Sequence, residues 1–137
     1  MSAFWRKVHS GWLCVGLLAC AAPVRAHHSF AAEFDGARRV SFQGVVTKVD
    51  WSNHHSYFYL DTKDHSGRLE NWIFETAGPN LLERLGWKRD SLKIGDRVTV
   101  VAYPALGGAR IASARSVVLA NGRTVSAGST VDGGPHP

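Results

Sequence analysis

The chain has 137 residues, with 16 Lys and Arg against 11 Asp and Glu and a formal net charge of +5. Its first 26 residues hold Arg6, Lys7 and Arg25 and no acid. Without them, 13 basic residues face 11 acidic ones and the net falls to +2, so total charge does not argue for a polyanion-binding surface.

In chain order, Arg6 and Lys7 precede the apolar run "GWLCVGLLACAA", which ends at Pro23 and the small residue Ala26. This is the layout of an export signal over residues 1–26. The run is about twelve residues, short of the roughly 20 that a membrane-crossing helix needs. Two processing sites compete. Val24 and Ala26 satisfy the small-residue rule and start the mature chain at His27, whereas "LLAC" at residues 17–20 resembles a lipoprotein box with a lipidated Cys20. Pro23, breaking the helix ahead of Ala26, favours the first. The expected location is the periplasm or the exterior, with an envelope anchor at Cys20 as the alternative.

A cut after Ala26 removes Cys14 and Cys20 and leaves 111 of the 137 residues. That suffices for one small domain and is too little for two. The mature chain then has no disulfide and no thiol nucleophile.

From residue 40 the pattern is that of strands. "VSFQGVVTKVDW" (40–51) reads as the first, with Gly44 allowing sharp coiling or a bulge. "SYFYLDTKD" and "RLENWIFETA" form a hairpin around the turn "HSG" at 65–67. "GPNLLERLGW" changes period: Pro79 suits a first helical turn, Leu81, Leu82 and Leu85 share a face, and Gly86 ends the helix. "LKIGDRVTVVAYPA" supplies a fourth strand. "RIASARSVVLANGRTV" supplies a fifth, with an Asn121-Gly122 turn near its end.

Three strands, a short helix and two strands predict an all-β fold with one short helix, a five-stranded OB-like Greek-key barrel (β-β-β-α-β-β) over residues 27–124. The glycine-rich residues 125–137 read as a disordered tail. The expected core is Phe42, Val46, Phe58, Leu60, Ile73, Val98, Val100, Ile111 and Val117.

"AHHSFAAEFD", "GVVTKVDWSNHHSYFYLD" and "NWIFETAGPNLLERLGWKRDSLKIGDRVTV" together resemble a family of small exported bacterial proteins catalogued only as a domain of unknown function. The most specific pieces are the His-His-Ser-Phe start and the Trp-x-Asn-x-His segment. Where that segment usually reads Asn-Pro-His, this chain has Asn53-His54-His55, so His55 matches the family histidine and His54 departs from it. The resemblance implies export and a small β fold, and brings no activity with it.

The candidate chemistry lies in two histidine pairs, His27-His28 and His54-His55. If His27 is the mature terminus, its α-amino and ring nitrogens can chelate one metal ion, with His55 or His54 completing the set. A nitrogen-rich tetragonal site suits copper(II); zinc(II) is the second choice. The bland alternative is that the pairs are solvated, and adjacent residues in a strand point to opposite faces, so at most one of each pair shares a site if both segments are extended.

A metal-free module that binds an envelope ligand or protein partner is the competing reading. OB-folds use strands two and three for ligands, and Trp51, Tyr57 and Trp72 lie on those elements or at their edge. Filling the core is the plainer use of such aromatics. Nucleic acid is not an expected partner of an exported protein. An enzyme is the least favoured class: the sequence contains no Gly-x-Ser-x-Gly elbow, His-Glu-x-x-His or Walker loop, and Glu33, Asp35, Asp61 and Glu75 read first as solvated carboxylates. Arg84, Lys88, Arg89 and Lys93 complement a helix C-terminus.

Overall fold

The computed structural model describes residues 30–129. Its elements are α1 (Phe30–Glu33), β1 (Val40–Asp50), β2 (His55–Lys63), β3 (Leu69–Ala77), α2 (Pro79–Arg84), β4 (Arg97–Pro104), β5 (Ile111–Val118) and β6 (Thr124–Ser126).

β1 is the hinge of the architecture. Its first half pairs antiparallel with β4, from Val40↔Ala102 to Val45↔Arg97, and its second half with β2, from Gly44↔Thr62 to Asp50↔Tyr57. The strand changes partner around Gly44, where an added Cβ would lie 2.5 Å from the Asp61 carbonyl oxygen. Glycine is therefore needed there for close backbone approach. The bulge itself falls further on, between Val46 and Lys48.

β2 and β3 form the expected hairpin. Its turn is held by Asp64, whose carboxylate accepts from the Ser66 N–H at 2.8 Å and the Arg68 N–H at 2.9 Å. Hydrogen bonds from Ser66 and Arg68 hold the Asp64 carboxyl at about 2. β5 closes the structure by running parallel to β3, with Ile73↔Ile111 and Glu75↔Ser113 in register, and antiparallel to β4. The resulting neighbour order, 1-2-3-5-4-1, is that of a closed five-stranded OB barrel.

α2 sits between β3 and β4 with Pro79 in its first turn, and it delivers Leu82 into the core beside Trp87 and Leu92. The core contains Val46, Phe58, Leu60, Val98, Val100 and Val117 as expected, with Phe42 partly buried against it. Ile73 and Ile111 do not belong to it. Phe74 and Ala112 are fully buried instead, and with a side-chain period of two their neighbours must face out. Stacking of Phe74 on Phe58, with ring centroids 5.1 Å apart and planes at 16°, fixes that parity.

The barrel continues past the expected boundary at residue 124. Residues 110–125 are two strands rather than one, because the Asn121-Gly122 turn, with Gly122 at φ 83°, reverses the chain into β6. Val125 and Ala127 are buried, the Ala77 N–H donates to the Ala127 carbonyl at 2.9 Å, and the Trp87 indole donates to the Ser126 carbonyl at 2.6 Å. Residues 125–129 are thus packed, which corrects the first part of the expected disordered tail; residues 130–137 lie outside the described residues. Also unanticipated is α1, where Phe30 meets the Tyr103 ring edge-on at 5.5 Å and Phe34 is buried.

Candidate functional site

Alternation along β2 sorts its side chains. Ser56, Phe58, Leu60 and Thr62 are buried, and His55, Tyr57, Tyr59 and Asp61 occupy the other face. Across the ladder, Tyr57 pairs with Glu75, Tyr59 with Ile73 and Asp61 with Asn71. The outer face of the hairpin therefore carries a histidine, two tyrosines and two carboxylates.

His55 and Glu75 form the centre of this face. The His55 Nδ1 lies 3.1 Å from the Thr76 carbonyl oxygen and 3.2 Å from Glu75 Oε1. Both partners are acceptors, so Nδ1 carries the proton, and in the neutral ring Nε2 keeps its lone pair. The His55 side chain is 50% exposed while that of Glu75 is only 18% exposed. The Tyr57 hydroxyl donates to Glu75 Oε2 at 3.4 Å.

Burial pushes the Glu75 carboxyl above the ordinary glutamate range and the charge of Glu33 adds to the rise, while His55 and the Tyr57 hydrogen bond pull the other way. Burial likewise raises the Tyr57 hydroxyl, followed by the charge of Glu75. The charge of Glu33, in α1, adds to both shifts.

The expected site residues separate. Tyr57 joins the His55–Glu75 cluster. Trp51 is partly buried against the core and meets Trp87 edge-on, with centroids 6.3 Å apart. Trp72 is also partly buried, packs on Phe42 at 4.6 Å and donates its indole N–H to Glu70 at 3.2 Å. Glu70 in turn pairs with Arg110 at 2.9 Å. Trp51, Tyr57 and Trp72 therefore do not make one aromatic platform.

His54 is exposed in the β1–β2 turn at φ 72°, and its carbonyl lies where a Cβ on Gly78 would come within 2.9 Å. His27 and His28 lie outside the described residues, two or three positions ahead of Phe30 in the sequence. Among the described residues, no group of three or more His, Cys, Asp or Glu is arranged to hold a metal ion. Among the same residues, no helix is long and apolar enough to cross a membrane.

The partnership of Glu75 with His55 is the feature that sequence reasoning missed. Its signal was the hairpin register: a turn at residues 64–67 sets Tyr57 opposite Glu75. The model of a family of unknown function, DUF6152, matches residues 15–114. No curated protein matches the chain.

Proposed function

This chain belongs to DUF6152, and from that premise we propose that it is an exported metal-binding accessory protein of the periplasm or exterior. In this reading the signal over residues 1–26 is removed and the mature protein starts at His27. His55 Nε2 ligates copper(II) together with the α-amino and ring nitrogens of His27, with His28 and His54 as further candidate ligands; zinc(II) is the second choice.

One observation carries the reading. His55 Nδ1 is committed to the Thr76 carbonyl and the Glu75 carboxylate, and the ring is half exposed. Metal-ligating histidines characteristically donate their other N–H to a carboxylate or backbone carbonyl, which fixes the tautomer and raises the basicity of the ligating nitrogen. A merely solvated histidine needs no such clamp.

Calorimetric titration of the chain starting at His27 with copper(II) and zinc(II) tests this. One-to-one binding that His27→Ala and His55→Ala each weaken at least tenfold supports the proposal. Affinity no better than that of a generic two-histidine peptide refutes it.

A further inference from the structure

The barrel carries its surplus positive charge at one rim. Residues 83–97 together with Arg123 hold six basic residues and three acidic ones, whereas the rest of residues 30–129 holds seven of each. The six are Arg84, Lys88, Arg89, Lys93, Arg97 and Arg123; all are exposed, and none makes an ion pair among the described residues.

The fold gathers them. β3 and β5 end and β4 begins at this rim, and α2 with the segment after it runs from β3 to β4. Trp87 and Leu92 are buried, so the chain between and after them is thrown outward in two turns. The Ser91 N–H donates to the Lys88 carbonyl at 2.9 Å and closes the first, which carries Lys88 and Arg89. The Asp96 N–H donates to the Lys93 carbonyl at 3.0 Å and closes the second, which carries Lys93 and Ile94. The β5–β6 turn joins them through Arg123, whose guanidinium donates to the Gly86 carbonyl at 3.1 Å. The helix C-terminus accounts for little of this charge: α2 ends at Arg84, the dipole acts only within the last turn, and Lys88, Arg89 and Lys93 lie beyond it.

The opposite rim differs. There Arg68 pairs with Asp64 at 3.1 Å and Arg110 with Glu70 at 2.9 Å, beside the exposed Leu69 and Leu106. On the α2 rim the cations stay unneutralised around Ile94, which is 74% exposed at the tip of the second turn. Cations around an exposed apolar tip complement a surface that is negative outside and apolar beneath. A soluble polyanion would engage the cations and offer nothing to Ile94.

We propose that the α2 rim docks on the surface of an anionic lipid bilayer, with Lys88, Arg89, Lys93 and Arg123 among the phosphates and Ile94 entering the headgroup region. None of these residues belongs to the His55–Glu75 cluster, so the docking stands independently of metal binding.

The test is co-sedimentation of the chain from His27, which contains the whole barrel, with vesicles of equal parts phosphatidylglycerol and phosphatidylcholine in buffer with a chelator. The protein should bind these vesicles, stay off phosphatidylcholine alone, and dissociate at high salt. Lys88→Glu with Arg89→Glu should weaken binding at least about tenfold and Ile94→Ser at least about threefold, each with an unchanged Tm. Arg38→Glu with Lys63→Glu changes the net charge equally but away from this rim, and should weaken it far less. Absence of binding to the anionic vesicles, or an equal loss in the two double variants, overturns the proposal. Vesicle binding that Ile94→Ser leaves unchanged also overturns it, and equal retention on dextran sulfate then identifies a polyanion site instead.

Discussion

Gly44→Ala measures how tightly β1 is held where it passes from one partner strand to the other. The added methyl would meet the Asp61 carbonyl oxygen at 2.5 Å, the Asp61 carbonyl carbon at 3.1 Å and Thr62 Cγ2 at 3.1 Å. The two Asp61 atoms are backbone in the β1–β2 ladder, so the clash is relieved only by moving β1 away from β2. Overpacking of this kind costs about 1–3 kcal/mol. Lower entropy of the unfolded chain returns about 0.4–1 kcal/mol for Gly→Ala. The net is a loss of about 1–2 kcal/mol, or a Tm lower by roughly 4–8 °C. Urea unfolding should show a lower midpoint with an unchanged slope. Thr62→Ser, which deletes only the Cγ2 contact, should leave most of the loss in place. A Gly44→Ala protein as stable as the parent would refute the claim that backbone approach dictates glycine here.

Two further perturbations probe the cluster and the barrel's end. Burial raises the Glu75 carboxyl in the folded state, so its contribution to stability is present below the unfolded glutamate pKa and is lost as pH rises through the folded value. The stability of Glu75→Gln relative to the parent should therefore improve between pH 3.5 and pH 7 in urea titrations; a constant or opposite trend contradicts the burial argument. Gly128→Ala should cost about 2–4 kcal/mol, because Gly128 sits at φ 73° and the new Cβ would lie 2.6 Å from Ala77 Cβ. Thermal unfolding that shows no change would mean that residues 125–129 are not packed on the barrel.

The barrel was legible because its signals are local. Pro79 and Gly86 bracket α2, and the "HSG" turn separates two aromatic-rich strands, so element order alone pointed to the OB topology. Side-chain parity was less legible, since Ile73 and Phe74 are both apolar and only packing against Phe58 decides which turns inward. β6 was hidden because three residues are too few to display a period, even though Val125 lies between polar Thr124 and Ser126. α1 spans only four residues and depends on Phe30 reaching Tyr103, a contact across 73 positions of sequence. The same long-range dependence hid the site: His55 was singled out as a matching residue, but its carboxylate partner lies 20 positions away on the next strand. The other pair, His27 and His28, lies outside the described residues, so its part in the proposed site rests on sequence.

In the proposed site a copper ion is shared between a processed terminus and His55. Its most direct test compares copper(II) affinity in a chain beginning at His27 with that of the same chain acetylated at that terminus, each with and without His55→Ala. Acetylation removes the free amine of His27 and should weaken binding at least tenfold, as should His55→Ala alone. Affinity should also fall as pH drops, because protons compete with the metal for the ligating nitrogens. Equal affinity in all four proteins would contradict the account and leave the histidine pairs as surface residues.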